Sequence, residues 1–231
     1  ELKGWSPFIP TDQDNSSLPV GALEYVFTNT SDQDVEAIFS YNTRNFMAMH
    51  GAPRTIRAMK NGFILSQNAS DNEKYLKGDF AIYTNTDATK VNYCWFRGGW
   101  WDPLTMAWNA IADGKIVENA PVKEEAPGAS LYVPFKVKAG ETYSVRLQMA
   151  WYVPDSNMRI GADAVSEDDK SSECPIVEKV ETPQYYRPWY SSRFADINEV
   201  SEYWLSKYDE LKQKTELFTN TFYNTTLPAE V

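Results

Sequence analysis

Leu131-Tyr132-Val133-Pro134-Phe135-Lys136-Val137 runs through Lys138-Ala139-Gly140-Glu141 into Thr142-Tyr143-Ser144-Val145-Arg146-Leu147-Gln148-Met149-Ala150-Trp151. Apolar side chains occupy alternate positions: Leu131, Val133, Phe135 and Val137 before the break, then Tyr143, Val145, Leu147, Met149 and Trp151 after it. Successive side chains of a strand point to opposite faces, so a period of two is the mark of strands with one buried face. Ala139-Gly140-Glu141 reads as the turn between them, because glycine and polar residues tolerate the backbone a reversal needs. Pro134 has no N–H to give to a ladder and marks an edge strand or a bulge.

The same layout occurs twice upstream. Leu23, Tyr25 and Phe27 share one face against Glu24 and Thr28, with Val26 the exception. After Asn29-Thr30-Ser31-Asp32 come Val35, Ala37, Phe39 and Tyr41 against Glu36 and Ser40, which predicts an antiparallel hairpin with one wet face. Phe80-Ala81-Ile82-Tyr83, a polar break at 84–87, and Val91, Tyr93 and Trp95 repeat the plan. The echo of Phe27-Thr28-Asn29-Thr30 in Tyr83-Thr84-Asn85-Thr86 is turn chemistry rather than a true repeat. Several such pairs predict a mainly β chain, a sandwich of two antiparallel sheets. Gly98 to Pro103 and Asp113 to Ala129 read as loops.

Character changes after Pro154. Residues 155–183 are polar and acidic, with Glu167-Asp168-Asp169, and read as a solvated excursion. From about Ile197 the spacing of Val200, Trp204, Tyr208, Leu211, Thr215 and Phe218 is helical. Asp196 with Glu199 fits a capping-box start, and Glu210 with Lys214 a favourable pair four residues apart. The expected division is a β-sandwich domain over 1–196, and a helix and linker over 197–231.

Composition narrows the chemistry. Apolar residues make up 42% and the 11 glycines add about 5%, inside the globular range of about 45–50%, so global disorder is excluded. No apolar run approaches the roughly 18 residues of a membrane span. Lys+Arg at 22 against Asp+Glu at 32 gives −10, which argues against nucleic acid and anionic lipid as partners. The single histidine, His50, excludes a multi-His zinc site and leaves only one residue for any His-dependent nucleophile; it reads as a packed or capping side chain. Cys94 sits in an apolar run and reads as a small hydrophobe; Cys174 precedes Pro175 in a polar loop. A bond between them is not deducible, and two cysteines leave the compartment open, a secreted or periplasmic one included. The chain opens on Glu1 without an initiating Met or a visible signal peptide, and reads as a processed or excised piece.

Glu24, Asp79, Asp102 and Asp155 lie near aromatic or strand segments and are the acids to weigh for glycosidase chemistry, although strand-face and loop acids are ordinarily solvated. Asp12-Gln13-Asp14-Asn15 starts like a calcium loop and fails it, with Ser17 at the glycine position and Leu23 at the glutamate position. No metal and no cofactor is expected. Aromatics are 14% of the chain. Trp95, Trp100, Trp101 and Trp108 form the densest cluster; rings here either plug an end of the sandwich, the favoured reading, or stack on a sugar. Asn15, Asn29, Asn68 and Asn224 fit the N-x-Ser/Thr pattern, which polar turns generate cheaply.

Trp5-Ser6-Pro7-Phe8-Ile9-Pro10 followed by Asp14-Asn15-Ser16-Ser17-Leu18-Pro19-Val20 resembles the start of the non-lysosomal glucosylceramidase (bile-acid β-glucosidase) family, glycoside hydrolase family 116. The resemblance continues at Glu24 to Asn29, at Arg187 to Phe194, around Trp204, Lys207 and Tyr208, and at Leu227-Pro228. It implies an N-terminal β-sandwich ahead of an (α/α)-barrel, with the nucleophilic Glu and acid/base Asp of a retaining β-glucosidase both in the barrel. No catalytic residue is therefore carried onto this sequence, and β-glucosides or glycolipid are reached only through the barrel domain, the expected partner. Trp204, Tyr208, Leu211 and Phe218 are expected to pack partly on the sandwich and partly on that domain. The rival readings are a stand-alone carbohydrate-binding module using exposed, coplanar Trp100 and Trp101, and a small hydrolase with two acids roughly 5–9 Å apart.

Overall fold

The computed structural model describes residues 1–49, 53–158, 186–224 and 226. His50, Cys174, Glu167-Asp168-Asp169 and Leu227-Pro228 lie outside the described residues. Among the described residues, nine strands and four α-helices follow in order: β1 (Leu2–Trp5), α1 (Gln13–Ser16), β2 (Val20–Thr28), β3 (Val35–Arg44), β4 (Thr55–Met59), β5 (Gly62–Gln67), β6 (Gly78–Thr84), β7 (Lys90–Asn92), α2 (Pro103–Ala112), β8 (Gly128–Val137), β9 (Thr142–Tyr152), α3 (Tyr190–Arg193) and α4 (Ile197–Tyr223). The strands form two antiparallel sheets, β1-β2-β9-β6-β5-β4 and β3-β8-β7, as a mainly β sandwich with a C-terminal helix.

The alternating segments are strands, but not the hairpins their adjacency predicts. β2 and β3 lie in opposite sheets, as do β6 and β7, and β8 and β9. Each pair is an arch that crosses between sheets. Alternation tells which face of a strand is buried; it does not name the partner, which here is β9 for β2 and β8 for β3. Two arches lie side by side and Asn29 joins them. Its backbone N–H donates to Glu141 O (3.0 Å), its carbonyl accepts from Gly140 N (3.1 Å), and its side-chain amide donates to Gln33 O (2.7 Å) and Val137 O (3.1 Å). Gly140 has φ +74, the left-handed backbone that keeps this turn short. Pro134 in β8 lies outside the short ladder to β7, which covers Ser130 to Tyr132, so the strand is locally an edge there. The true tight hairpin is β4–β5 around Lys60-Asn61, with Asn61 at φ +56.

Two apolar layers result. Between the sheets, Phe39, Leu131 and Val133 meet Phe63, Leu65, Ile82, Val145 and Leu147. Outside the large sheet, Val20, Ala22, Ile64, Ala81, Tyr83, Ala150 and Tyr152 are covered by Ile197, Val200, Trp204, Tyr208 and Leu211 of α4. The expected wet face of β2 is thus dry along its centre, and Val26 with Ala22 and Glu24 belongs to the side that α4 lies on. Asp196 caps α4 by accepting from Asn198 N (2.8 Å) and Glu199 N (3.1 Å), while Glu199 reaches back to accept from Ala195 N (2.7 Å). Lys214 donates to Glu210 at 2.7 Å as the spacing predicts.

The registers also sort the connections by end. Residues 29–34, 60–61, 85–89 and 138–141 make one end of short links. At the other end lie the longer described stretches 6–19, 45–49, 53–54, 68–77, 93–127, 153–158 and 186–196. Side chains that do something beyond holding a sandwich together concentrate on such an end.

Candidate functional site

Of the four acids singled out in the sequence, Glu24, Asp79 and Asp102 are engaged in holding the fold. Glu24 on β2 points at α4, where Lys212 Nζ donates to both its oxygens (2.8 and 2.6 Å) and Tyr208 Oη donates to Oε1 (2.7 Å). Burial pushes the Glu24 carboxyl up, but the bonds from Lys212 and Tyr208 and the nearby Arg146 charge prevail and hold it below its ordinary value. Arg146 lies 3.7 Å over the Tyr208 ring and donates to Asp209 (3.0 Å). Burial, and then the bond to Glu24, push the Tyr208 hydroxyl up. Asp79 pairs with Arg57 at 2.8 Å. Asp102 caps α2 by accepting from Thr105 N (2.8 Å) and Oγ1 (3.0 Å), bonds that hold it low. Asp155 is half-buried at the foot of the excursion. Asp12 caps α1 instead of opening a calcium loop, and among the described residues no three His, Cys, Asp or Glu side chains converge as metal ligands. Of the four asparagines in the acceptor pattern, Asn29 is buried and Asn15 is spent on Asp12 and Tyr203, while Asn68 and Asn224 are exposed.

The tryptophan cluster separates into two kinds. Trp95 is 3% exposed, donates from Nε1 to Ser130 Oγ (2.8 Å), and lies so close over Gly128 that a Cβ there would stand 2.5 Å from its ring. Cys94 beside it is a free buried thiol, pushed up by burial. Trp100, Trp101 and Trp108 are 93%, 67% and 66% exposed. The plug reading therefore holds for Trp95 alone. Sequence reading also missed α2, which carries Trp108 between those loops. The signal was present: Asp102 as N-cap, Pro103 at the first helical position, and Trp101, Leu104 and Trp108 at helical spacing.

The α4 stripe divides as well. Trp204, Tyr208 and Leu211 are buried against the large sheet by this chain itself, which makes them interior residues rather than a free surface. Trp5 Nε1 donates to Tyr208 Oη (3.0 Å), and the Trp5 ring meets Trp204 edge-on at 5.1 Å, so the opening motif and the helix form one aromatic cluster. Of the four residues assigned to docking, only Phe218 keeps exposed surface. It continues a chain of rings at the β1 edge: Phe8 to Phe218 (5.1 Å), Phe218 to Phe222 (5.8 Å) and Phe222 to Tyr223 (5.4 Å), with Leu217 exposed beside them.

Residues 1–211 match the family described as beta-glucosidase 2, glycosyl-hydrolase family 116 N-term. The chain belongs to that family. It is the family expected from Trp5 to Pro10 and Glu24 to Asn29, and the match spans the opening, the middle strands and α4 as far as Leu211. No match is found among curated proteins. Four residues of the motifs that carry the resemblance come together in the fold. Trp5, Glu24, Trp204 and Tyr208 meet where α4 crosses β1, β2 and β9.

Proposed function

We propose that this chain is the non-catalytic N-terminal β-sandwich of a retaining β-glucosidase, acting on β-glucosides or glycolipid, and that it supports and docks an (α/α)-barrel catalytic domain of the parent protein. The strands over 1–196 and the helix and linker over 197–231 form one unit in this reading, with α4 as the outer layer of the large sheet. The observation that carries this is the state of the acids. A retaining glycosidase needs two carboxyls roughly 5–5.5 Å apart, one kept protonated by a raised pKa. Among the described residues, every carboxyl with a resolved shift is moved downward: Asp12, Glu24, Asp34, Asp87, Asp102, Asp196 and Glu210. None of these seven is raised toward neutral pH as a proton donor would be.

The support role follows from α4. Its first half is held by the sheet and its last turns carry Phe218, Leu217, Phe222 and Tyr223 past β1, which suits a rigid arm with an apolar docking end. Purified 1–231 should be silent on a chromogenic β-glucoside, and the protein extended through the next domain active. Saturable turnover by 1–231, lost on changing one of its own acids, overturns the reading.

The exposure of Trp100 and Trp101 favours a second reading, a carbohydrate-binding module with these rings as platform. Quenching of tryptophan fluorescence by glucosides, abolished in Trp101→Ala, is its signature.

A further inference from the structure

A free sheet edge invites pairing with another strand, and proteins blunt such edges with short strands, proline, bulges, lysine or inward-pointing charge. Among the described residues, three edges fit that rule by brevity: β1, β7 and β4 hold four, three and five residues. The fourth, β3, does not. It runs ten residues without proline, lysine or glycine, and its register on β8 is unbroken from Val35↔Val137 to Arg44↔Gly128. Among the described residues, β8 is the one segment with which its backbone forms a ladder or loop bond. Its inward side chains Ala37, Phe39, Tyr41 and Thr43 carry no charge, while Val35, Glu36 and Ile38 are exposed.

We propose that β3 pairs with β3 of a second copy of this chain, antiparallel about a two-fold axis at Ser40, joining the two smaller sheets into one. In that register Glu36 of each copy stands opposite Arg44 of the other, Ile38 opposite Asn42, and Phe39 opposite Tyr41. Opposed residues of an antiparallel pair point to the same face. Glu36 and Arg44 therefore meet on the outer face, and the rings on the inner one, where Phe39 already packs on Tyr25 at 4.8 Å. Symmetry makes each of these pairs twice. Among the described residues Glu36 has no hydrogen bond or ion pair, and Arg44 has a long one to Asp102 (3.4 Å).

The occupant is a second copy because the edge complements itself. A slip of one residue turns every inner side chain outward. A slip of two, in either direction, sets Glu36 against Asn42 or Phe46 and loses the opposed charges. Backbone bonds along the ladder supply the affinity, and the ion pairs set the register, since exposed pairs contribute little by themselves. Each copy carries −10, so opposite charges at both ends of the strand also offset repulsion where the two chains meet. Pairing of this edge is independent of a catalytic domain and goes beyond the function proposed above.

Sedimentation velocity of 1–231, from micromolar to millimolar concentration, tests this. The unmodified chain should show a reversible monomer–dimer equilibrium. Glu36→Arg sets bases opposite each other at both ends of the ladder, and Arg44→Glu sets acids there; each should weaken the dimer about tenfold or more. An equimolar mixture of the two variants restores opposite charges and should recover the association of the unmodified chain. Thermal transitions close to the unmodified one identify both as folded surface variants. Hydrogen exchange needs no substitution: amides within 35–44 should gain protection as concentration rises. A chain that stays monomeric throughout overturns the pairing. So does a dimer indifferent to both substitutions, a mixture of folded variants that fails to associate, or a dimer broken by Trp101→Glu with exchange at 35–44 unchanged.

Discussion

Asn29 shows what one side chain contributes in this fold. It reads in the sequence as an ordinary turn residue, and its use of Oδ1 as acceptor for Ser31 N (3.0 Å) is ordinary turn chemistry. Its bond to Val137 O, however, crosses from one arch to the other. Asn29→Ala leaves the buried Val137 carbonyl without that donor and should cost about 1–3 kcal/mol, read as a fall in the denaturant midpoint at unchanged slope. A change below about 0.5 kcal/mol, the usual surface scatter, would mean that the arches do not depend on it. Glu24 supplies a pH signature. Its folded pKa is depressed, so its contribution is fully present above the unfolded glutamate value and is lost as pH falls through the folded one. The stability gap between the chain and Glu24→Gln should therefore be widest near pH 7 and narrow on acidification below about pH 4.5. A gap that stays constant from pH 7 to 3 would assign the loss to shape rather than charge.

At the scale of elements, what could be read in advance was periodicity. The strands at 20–28, 35–44, 78–84, 128–137 and 142–152 and the helix from Ile197 appear where alternation and helical spacing put them, because burial of one face imposes its period on the chain. Pairing was not legible. A short polar link between two alternating strands serves an arch as well as a hairpin, and the choice depends on β9 and β8 standing beside β2 and β3, a non-local fact. Helix α2 was missed for the opposite reason. Its cap and first residue, Asp102-Pro103, close the Gly98 to Trp101 run, whose composition reads as loop and hides the helical spacing that follows. The α4 interface holds one more surprise, since Gln148 on β9 is fully buried, faces the helix side of the sheet and finds no partner for either amide atom; Trp204 Nε1 is unpaired in the same layer. Gln148→Met keeps the volume and removes the unmet polar atoms. It should raise stability by about 1–2 kcal/mol, seen as a higher Tm. A lower Tm would show that the amide is doing polar work in that layer.

At the scale of the molecule, the question is whether the helix is a tail or a wall. The expected boundary at residue 196 treats the sandwich as complete without α4, and the packing argues the reverse. The large sheet has apolar residues on both faces, and the outer set (Val20, Ala22, Ile64, Ala81, Tyr83, Ala150 and Tyr152) has α4 as its cover. Tyr83 Oη donates to Ser201 O (3.0 Å), and Lys3 reaches Glu216, so the contact runs from β6 to the β1 edge. Removing Trp204 alone from such a site typically costs about 3–5 kcal/mol, against a total of about 5–15 kcal/mol for a domain. Deleting the whole helix should exceed what the remainder can supply. A chain ending at Asp196 is thus expected to lose cooperative unfolding and to bind a hydrophobic dye such as ANS, whereas one ending at Asn224 should melt in a single transition by circular dichroism. Had the sandwich been the independent unit, the shorter chain would melt cooperatively within a few degrees of the longer one. On the expected result α4 belongs to the sandwich as its outer layer, and only its last turns, beyond Glu216, remain free to meet a partner.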